Sequence, residues 1–181
     1  MHTLNRKTLI ITGIMFVVIF LLTWLISVPL GIERNGESAK AYLNLGDAGI
    51  MLAVALLGGP WAALAAALGS ALGDLVVGSA VYILPTLIIK AVMAFVAATL
   101  IKKDSSFLGA VRTVTISGLW MTIGYFIYDL IFMGDFVCAS ALLVLNLLQV
   151  VANGVIAVPL LKLLGGKSQR QAQQATMGRV K

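Results

Sequence analysis

Two ionisable side chains sit where an apolar segment should exclude them. The stretch GSALGDLVVGSAVYILPTLIIKAVMAF, residues 69–95, is almost wholly apolar yet carries Asp74 and Lys90. Opposite charges in a low-dielectric medium either pair with each other or grip a polar ligand, and both roles are open at this point. Other polar side chains follow helical spacing. Asn146, Gln149 and Asn153 stand at i, i+3 and i+7 and share one helix face, and Thr122, Tyr125 and Asp129 repeat that spacing. Asn44 and Asp47 open a further apolar run, and Tyr82 lies between Asp74 and Lys90. Carboxylate, ammonium, carboxamide and phenol groups of this kind hydrogen-bond the edge of a small polar molecule, while tyrosine rings stack on its face.

The same residue types do not assemble into a catalytic set. The single histidine, His2, leaves no Ser/His/Asp or His-Glu arrangement and no zinc or haem constellation. There is no phosphate-binding lysine loop, so nothing in the chain hydrolyses ATP. Cys138 is the only cysteine, which excludes an intramolecular disulfide. The expectation is a chain that is not an enzyme and holds no cofactor or metal.

What positions these groups follows from composition. Of 181 residues, 60% are hydrophobic and 11% charged, against roughly 25% charged in soluble domains; the mean hydropathy is +1.03. Successive apolar runs of membrane-spanning length predict an all-α, multi-pass membrane protein. Six spans account for the sequence, at about 8–30, 43–58, 60–79, 84–101, 107–133 and 139–164. Gly58-Gly59-Pro60 marks a tight turn between the second and third, Pro85 opens the fourth, and Ser105 and Ser106 offer caps for the fifth. Residues 32–42 are expected as the longest internal loop. Gly165-Gly166 closes the six-helix domain, 1–166, and the basic, Gln-rich segment 167–181 is expected to be a disordered cytoplasmic tail.

The net charge of +6 does not point to nucleic acid, because the basic residues lie in short clusters between apolar runs. With both termini cytoplasmic, Arg6, Lys7, Lys102, Lys103, Arg112, Lys162, Lys167, Arg170, Arg179 and Lys181 fall inside, and only Arg34 and Lys40 outside. That asymmetry sets the orientation. It places Asp74 and Lys90 roughly 8 Å below the outer surface, with the polar faces of the fifth and sixth spans in the same outer half. A single Asp74–Lys90 bridge explains two residues; convergence of all these groups at one depth predicts a cavity open to the outside. On this reading Lys90→Met abolishes ligand binding in a protein that still folds. The tyrosines Tyr42, Tyr82, Tyr125 and Tyr128 lie at outer ends, as an interfacial belt or as stacking partners. Ala62, Ala66 and Ser70 recur at i+4, a small-residue face for packing within the chain or against a second membrane subunit.

Three stretches, YLNLGDAGIML (42–52), LLGGPWAALAAALGSALGDLV (56–76) and YILPTLIIKAVMAF (82–95), together resemble the substrate-binding S components of energy-coupling factor (ECF) vitamin transporters. Within that family the chain is most similar to the branch with riboflavin, pyridoxine and hydroxymethylpyrimidine carriers. The resemblance implies a bacterial plasma-membrane subunit that binds a vitamin on its outer side beneath the loop joining its first two helices. It also implies partnership with a transmembrane T component and two cytoplasmic ATPases. Family members dock through Ala-x-x-x-Ala on the first helix; here TGIMFVV (12–18) offers Gly13 and Val17, beside the small-residue face of Ala62, Ala66 and Ser70. The expected ligand is a small heteroaromatic vitamin or precursor, contacted by Asn44, Asp47, Asp74, Tyr82 and Lys90 and by Tyr125, Asp129, Asn146, Gln149 and Asn153. Two other classes stay open: a scaffold protein whose charges only pack helices, and a stand-alone channel or transporter.

Overall fold

The computed structural model describes the backbone of residues 6–34 and 37–177 and the side chains of 6–28 and 42–164. Its elements in chain order are α1 (Arg6–Trp24), β1 (Ser27–Arg34), β2 (Glu37–Asn44), α2 (Gly46–Leu57), α3 (Gly59–Val77), α4 (Ile83–Lys103), α5 (Phe107–Met133) and α6 (Phe136–Met177). A 3-10 turn over Ala80–Tyr82 leads into α4. Among the described residues, five helices are long and apolar enough to cross a membrane. The exception is α2: its 12 residues rise about 18 Å against a hydrocarbon core of about 30 Å.

The helices close into a ring in the order α1, α3, α4, α5, α6, α2, each packed on the next and α2 back on α1. Small residues make this possible. In α1 the buried positions Thr12, Met15, Ile19 and Thr23 form one stripe, and it lies on the glycines of α3. A Cβ on Gly69 would stand 2.8 Å from the backbone oxygen of Phe16. One on Gly73 would overlap Thr23 Cγ2 and stand 2.9 Å from Thr23 Cβ. Gly73→Ala is therefore expected to destabilise the protein by about 1–3 kcal/mol, with Thr23→Ser in the same chain recovering part of the loss in a thermal melt. An unshifted melting temperature for Gly73→Ala would mean that α1 is free to move away from α3.

The other side of α3 packs on α4, so Ala62 and Ala66 are fully buried and Ser70 nearly so. This corrects the expectation of a docking face there: the small-residue stripe of α3 is used inside the chain. Gly13 and Val17 remain exposed on the outer face of α1. The core below mid-ring is built from Met15, Ile19, Ile50, Met51, Met93, Met121 and Leu161, with alanines between them.

Local signals set most boundaries. Gly58, at φ +76°, makes the turn between α2 and α3, with a proline in the first turn of α3. Ser106 Oγ accepts from Gly109 N at 3.0 Å and caps α5. Three expectations need correction. The first helix ends at Trp24 rather than near residue 30, because Pro29 disfavours helical geometry at Val28 and has no N–H to continue the ladder. The expected loop is instead an antiparallel hairpin, paired from Ser27↔Asn44 to Arg34↔Glu37, which satisfies the backbone groups on the facing edges of its two strands. Finally, α6 does not stop at Gly165-Gly166 but continues to Met177, carried by the Gln, Ala and Arg residues that follow. Its apolar part is Phe136–Leu164; the tail's side chains and residues 178–181 lie outside the described residues.

Candidate ligand-binding site

At the hairpin end of the ring the helices diverge around a cavity of about 70 Å³, several times the ~10–15 Å³ that one water molecule needs. Its floor is a buried polar network centred on Lys90, which α4 projects across the ring. The Lys90 ammonium is bound to Asp47 Oδ1, in the first turn of α2, and lies 2.9 Å from Met121 Sδ. Asp47 gains further from the positive end of the α2 dipole. Gln149 Nε2 donates to Asp47 Oδ2 at 2.8 Å, and Gln149 Oε1 accepts from Asn44 N at 3.2 Å.

One turn further along α6, Asn153 completes the floor from behind. Its Oδ1 accepts from Ala48 N at 2.8 Å, and its Nδ2 donates to Asn44 O at 2.8 Å. Asn44 Oδ1 in turn accepts from Gly46 N at 2.8 Å. The first turn of α2 lacks a conventional side-chain cap, so its free N–H groups are satisfied by Asn44 and, from another helix, by Asn153.

The walls carry two tyrosine–aspartate pairs. Tyr42, near the end of β2, donates to Asp74 Oδ1 on α3. Burial, and then the neighbouring Asp74 carboxylate, push the Tyr42 phenol well above its ordinary range, so it remains a donor. Across the cavity Tyr82 OH donates to Asp129 Oδ1 at 2.8 Å. Thr86 Oγ1 and Tyr125 OH share a 2.8 Å bond. The Tyr82 ring meets Tyr125 and Tyr128 edge-on, with centroids 6.3 and 5.5 Å apart. Two buried atoms on lining residues have no hydrogen-bond partner, Asp74 Oδ2 and Thr23 Oγ1.

Of the residues expected at the site, Asn44, Asp74, Tyr82, Lys90, Tyr125, Asp129, Asn146 and Gln149 line the cavity. Asp47 and Asn153 do not; they sit behind the floor and hold it. Of the two roles left open for Asp74 and Lys90, mutual pairing is not what the structure has: Lys90 bonds Asp47, and Asp74 bonds Tyr42. Sequence reasoning missed Thr23, Tyr42, Thr86 and the apolar Leu43, Leu142 and Leu145, and it put Ser70 on an outer face whereas it lines the cavity. Thr86 had a readable signal, since Tyr82, at the end of the 3-10 turn, and Thr86 and Lys90 of α4 recur at i+4.

A model of the family described as "ECF-type riboflavin transporter, S component" matches residues 3–165. The chain belongs to this family. Among solved structures, the S component for biotin from an ECF-type ABC transporter, a 2.1 Å crystal structure, superposes with a TM-score of 0.62. The two are 17% identical, and the match covers 93% of this chain and 94% of that one, which establishes a shared fold. No match was found among curated protein sequences. As an S component the chain is a transporter subunit rather than an enzyme, of the kind that binds a vitamin and works with T and ATPase modules. In this S component the wall of the cavity is contributed by every helix of the ring except α2, together with β2. The cavity is therefore a property of the closed ring and not of any one helix pair.

Proposed function

We propose that this S component captures a small heteroaromatic vitamin or vitamin precursor, of the hydroxymethylpyrimidine or pyridoxine type, outside a bacterial plasma membrane. A T component and two ATPases then drive its delivery inward. The observation that carries this reading is the wall of the cavity, where the rings of Tyr42, Tyr82 and Tyr125 alternate with the buried hydrogen-bonding groups of Asp74, Thr86 and Asp129. Flat rings with hydroxyl and amine edges match that alternation of stacking faces and polar atoms. In this reading all six helices span the membrane, with α2 crossing where the protein is thin, and both termini are cytoplasmic. The basic residues Arg6, Lys7, Lys102, Lys103, Arg112 and Lys162 support that orientation, since all lie toward the helix ends remote from the cavity. The exposed strip of α1 that includes Gly13 and Val17 serves as the docking face for the T component.

Riboflavin is a second reading, favoured by the name of the matching family. The two are separated by native mass spectrometry of the purified subunit for a co-purifying ligand, followed by calorimetric titration with hydroxymethylpyrimidine, pyridoxine and riboflavin. The proposal expects submicromolar affinity for one of the first two and a raised melting temperature. Tight binding of riboflavin alone transfers the assignment to the second reading. If no small molecule binds, the charges serve helix packing only; uptake by the reconstituted subunit without partners makes it a stand-alone transporter.

A further inference from the structure

The unpartnered atoms and the charge of the cavity wall together define which edge of a ligand the site accepts. Asp74 and Thr23 are 5% and 2% exposed, and neither Asp74 Oδ2 nor Thr23 Oγ1 has a hydrogen-bond partner. A buried acceptor left in that state costs free energy until something donates to it. Thr23 cannot turn freely to relieve its own deficit. A Cβ on Gly46 would overlap Thr23 Oγ1, and one on Gly73 would overlap its Cγ2, so the side chain is wedged between α2 and α3.

Formal charge points the same way. Among the described lining residues Lys90 is the one cation, and Asp47 neutralises it from behind the floor. Asp74 and Asp129 are left facing the cavity with hydroxyl groups as hydrogen-bond partners, Tyr42 and Thr86 for Asp74 and Tyr82 for Asp129, and these bonds supply no counter-charge. The wall therefore carries an excess of buried carboxylate, where charge acts more strongly than in bulk water.

We propose that the ligand binds with a nitrogen-bearing donor edge, a ring amine or a protonated ring nitrogen, against Asp74 Oδ2 and Thr23 Oγ1, and that the site rejects carboxylate- and phosphate-bearing ligands. This rests on the capture of a small heteroaromatic ring proposed above. It goes beyond that reading by fixing the orientation of the ring and the sign of charge that the cavity selects.

The test is a titration series on the purified full-length subunit. Its probes are 4-amino-5-hydroxymethyl-2-methylpyrimidine, the same ring with oxygen in place of the amine, pyridoxine, pyridoxine 5′-phosphate, riboflavin and biotin. The amino ring is expected to bind about 10- to 100-fold more tightly than its oxygen counterpart, the range of a charge-assisted hydrogen bond. The phosphate ester and biotin should give no saturable binding. Asp74→Asn should shrink the preference for the amine to a few-fold, with affinity for the oxygen analogue less affected. Equal affinity for the two rings, or biotin or the phosphate ester as the tightest ligand, overturns the inference and leaves capture of a small molecule standing. So does an Asp74→Asn protein that keeps the full preference. Absence of binding by every ring sinks both readings. Should Asp74→Asn fail to fold, the preference measured on the unaltered protein decides.

Discussion

Replacing Lys90 by Met is expected to destabilise the protein by about 3–5 kcal/mol, the range for removing one partner of a buried ion pair. Both members of the pair are almost fully buried, with side-chain exposures of 4% and 3%. Without the ammonium, Asp47 keeps only Gln149 Nε2 as a side-chain donor, and a lone carboxylate remains in the centre of the ring. The sequence alone casts Lys90→Met as a pure binding mutant; its position on Asp47 makes it first a folding mutant. The double substitution Lys90→Met/Asp47→Asn should recover most of the loss, because the introduced carboxamide is neutral and still accepts from Gln149. Melting temperatures of both proteins in detergent provide the check. A single mutant as stable as the parent would show that Asp47 and Lys90 are energetically independent.

The second large effect is expected at Asn153. Asn153→Leu removes the acceptor for the buried Ala48 N and the donor to the part-buried Asn44 O. At about 1–3 kcal/mol for each group left unsatisfied, the loss is on the order of 2–6 kcal/mol. The damage should be local before it is global. Hydrogen exchange at Ala48 should accelerate markedly, since that amide loses its cap, while amides in the middle of α5 stay protected. Asn153→Asp, which retains the acceptor, should preserve much of the protection at Ala48. Asn146→Leu, on the cavity wall of the same helix, serves as a control with a smaller effect on stability. Equal losses in Asn146→Leu and Asn153→Leu would remove the special status of the cross-helix cap.

The parts of this structure that were legible in the sequence were those fixed by local chemistry. Ser106 caps α5 and Gly58 turns the chain because their side chains, or the lack of one, act within a few residues. The polar faces of α5 and α6 were equally visible, as helical spacing alone puts Tyr125 with Asp129 and Asn146 with Gln149. The common level of these groups along their helices was readable too, and the cavity forms there. What depth does not give is the order of helices around the ring. Asp74 and Lys90 lie at one level, yet α2 is inserted between α1 and α6 and brings Asp47 to the lysine.

The hairpin was missed for another reason. An apolar run that continues past Trp24 looks like helix until the backbone preference imposed by Pro29 is weighed against it. The residues between the strands, Asn35 and Gly36, are the pair most favoured in two-residue hairpin turns, a signal present in the sequence. Tyr42 was left between an interfacial belt and a stacking role because its partner, Asp74, is 32 residues away.

The hairpin also acts as a depth gauge. A two-stranded sheet has a row of unpaired N–H and C=O groups along each outer edge, and hydrocarbon cannot satisfy them. In the proposed membrane orientation the hairpin therefore stands in water or among lipid headgroups, except at Asn44, whose N–H and C=O are held by Gln149 and Asn153, and this puts the waterline within a turn of Trp24. Asn44, at the last paired position, touches both that wet edge and the buried floor of Gln149 and Asn153. In the proposed orientation a solute thus reaches the cavity from aqueous surroundings in the length of a few residues, without crossing the hydrocarbon core on the way in.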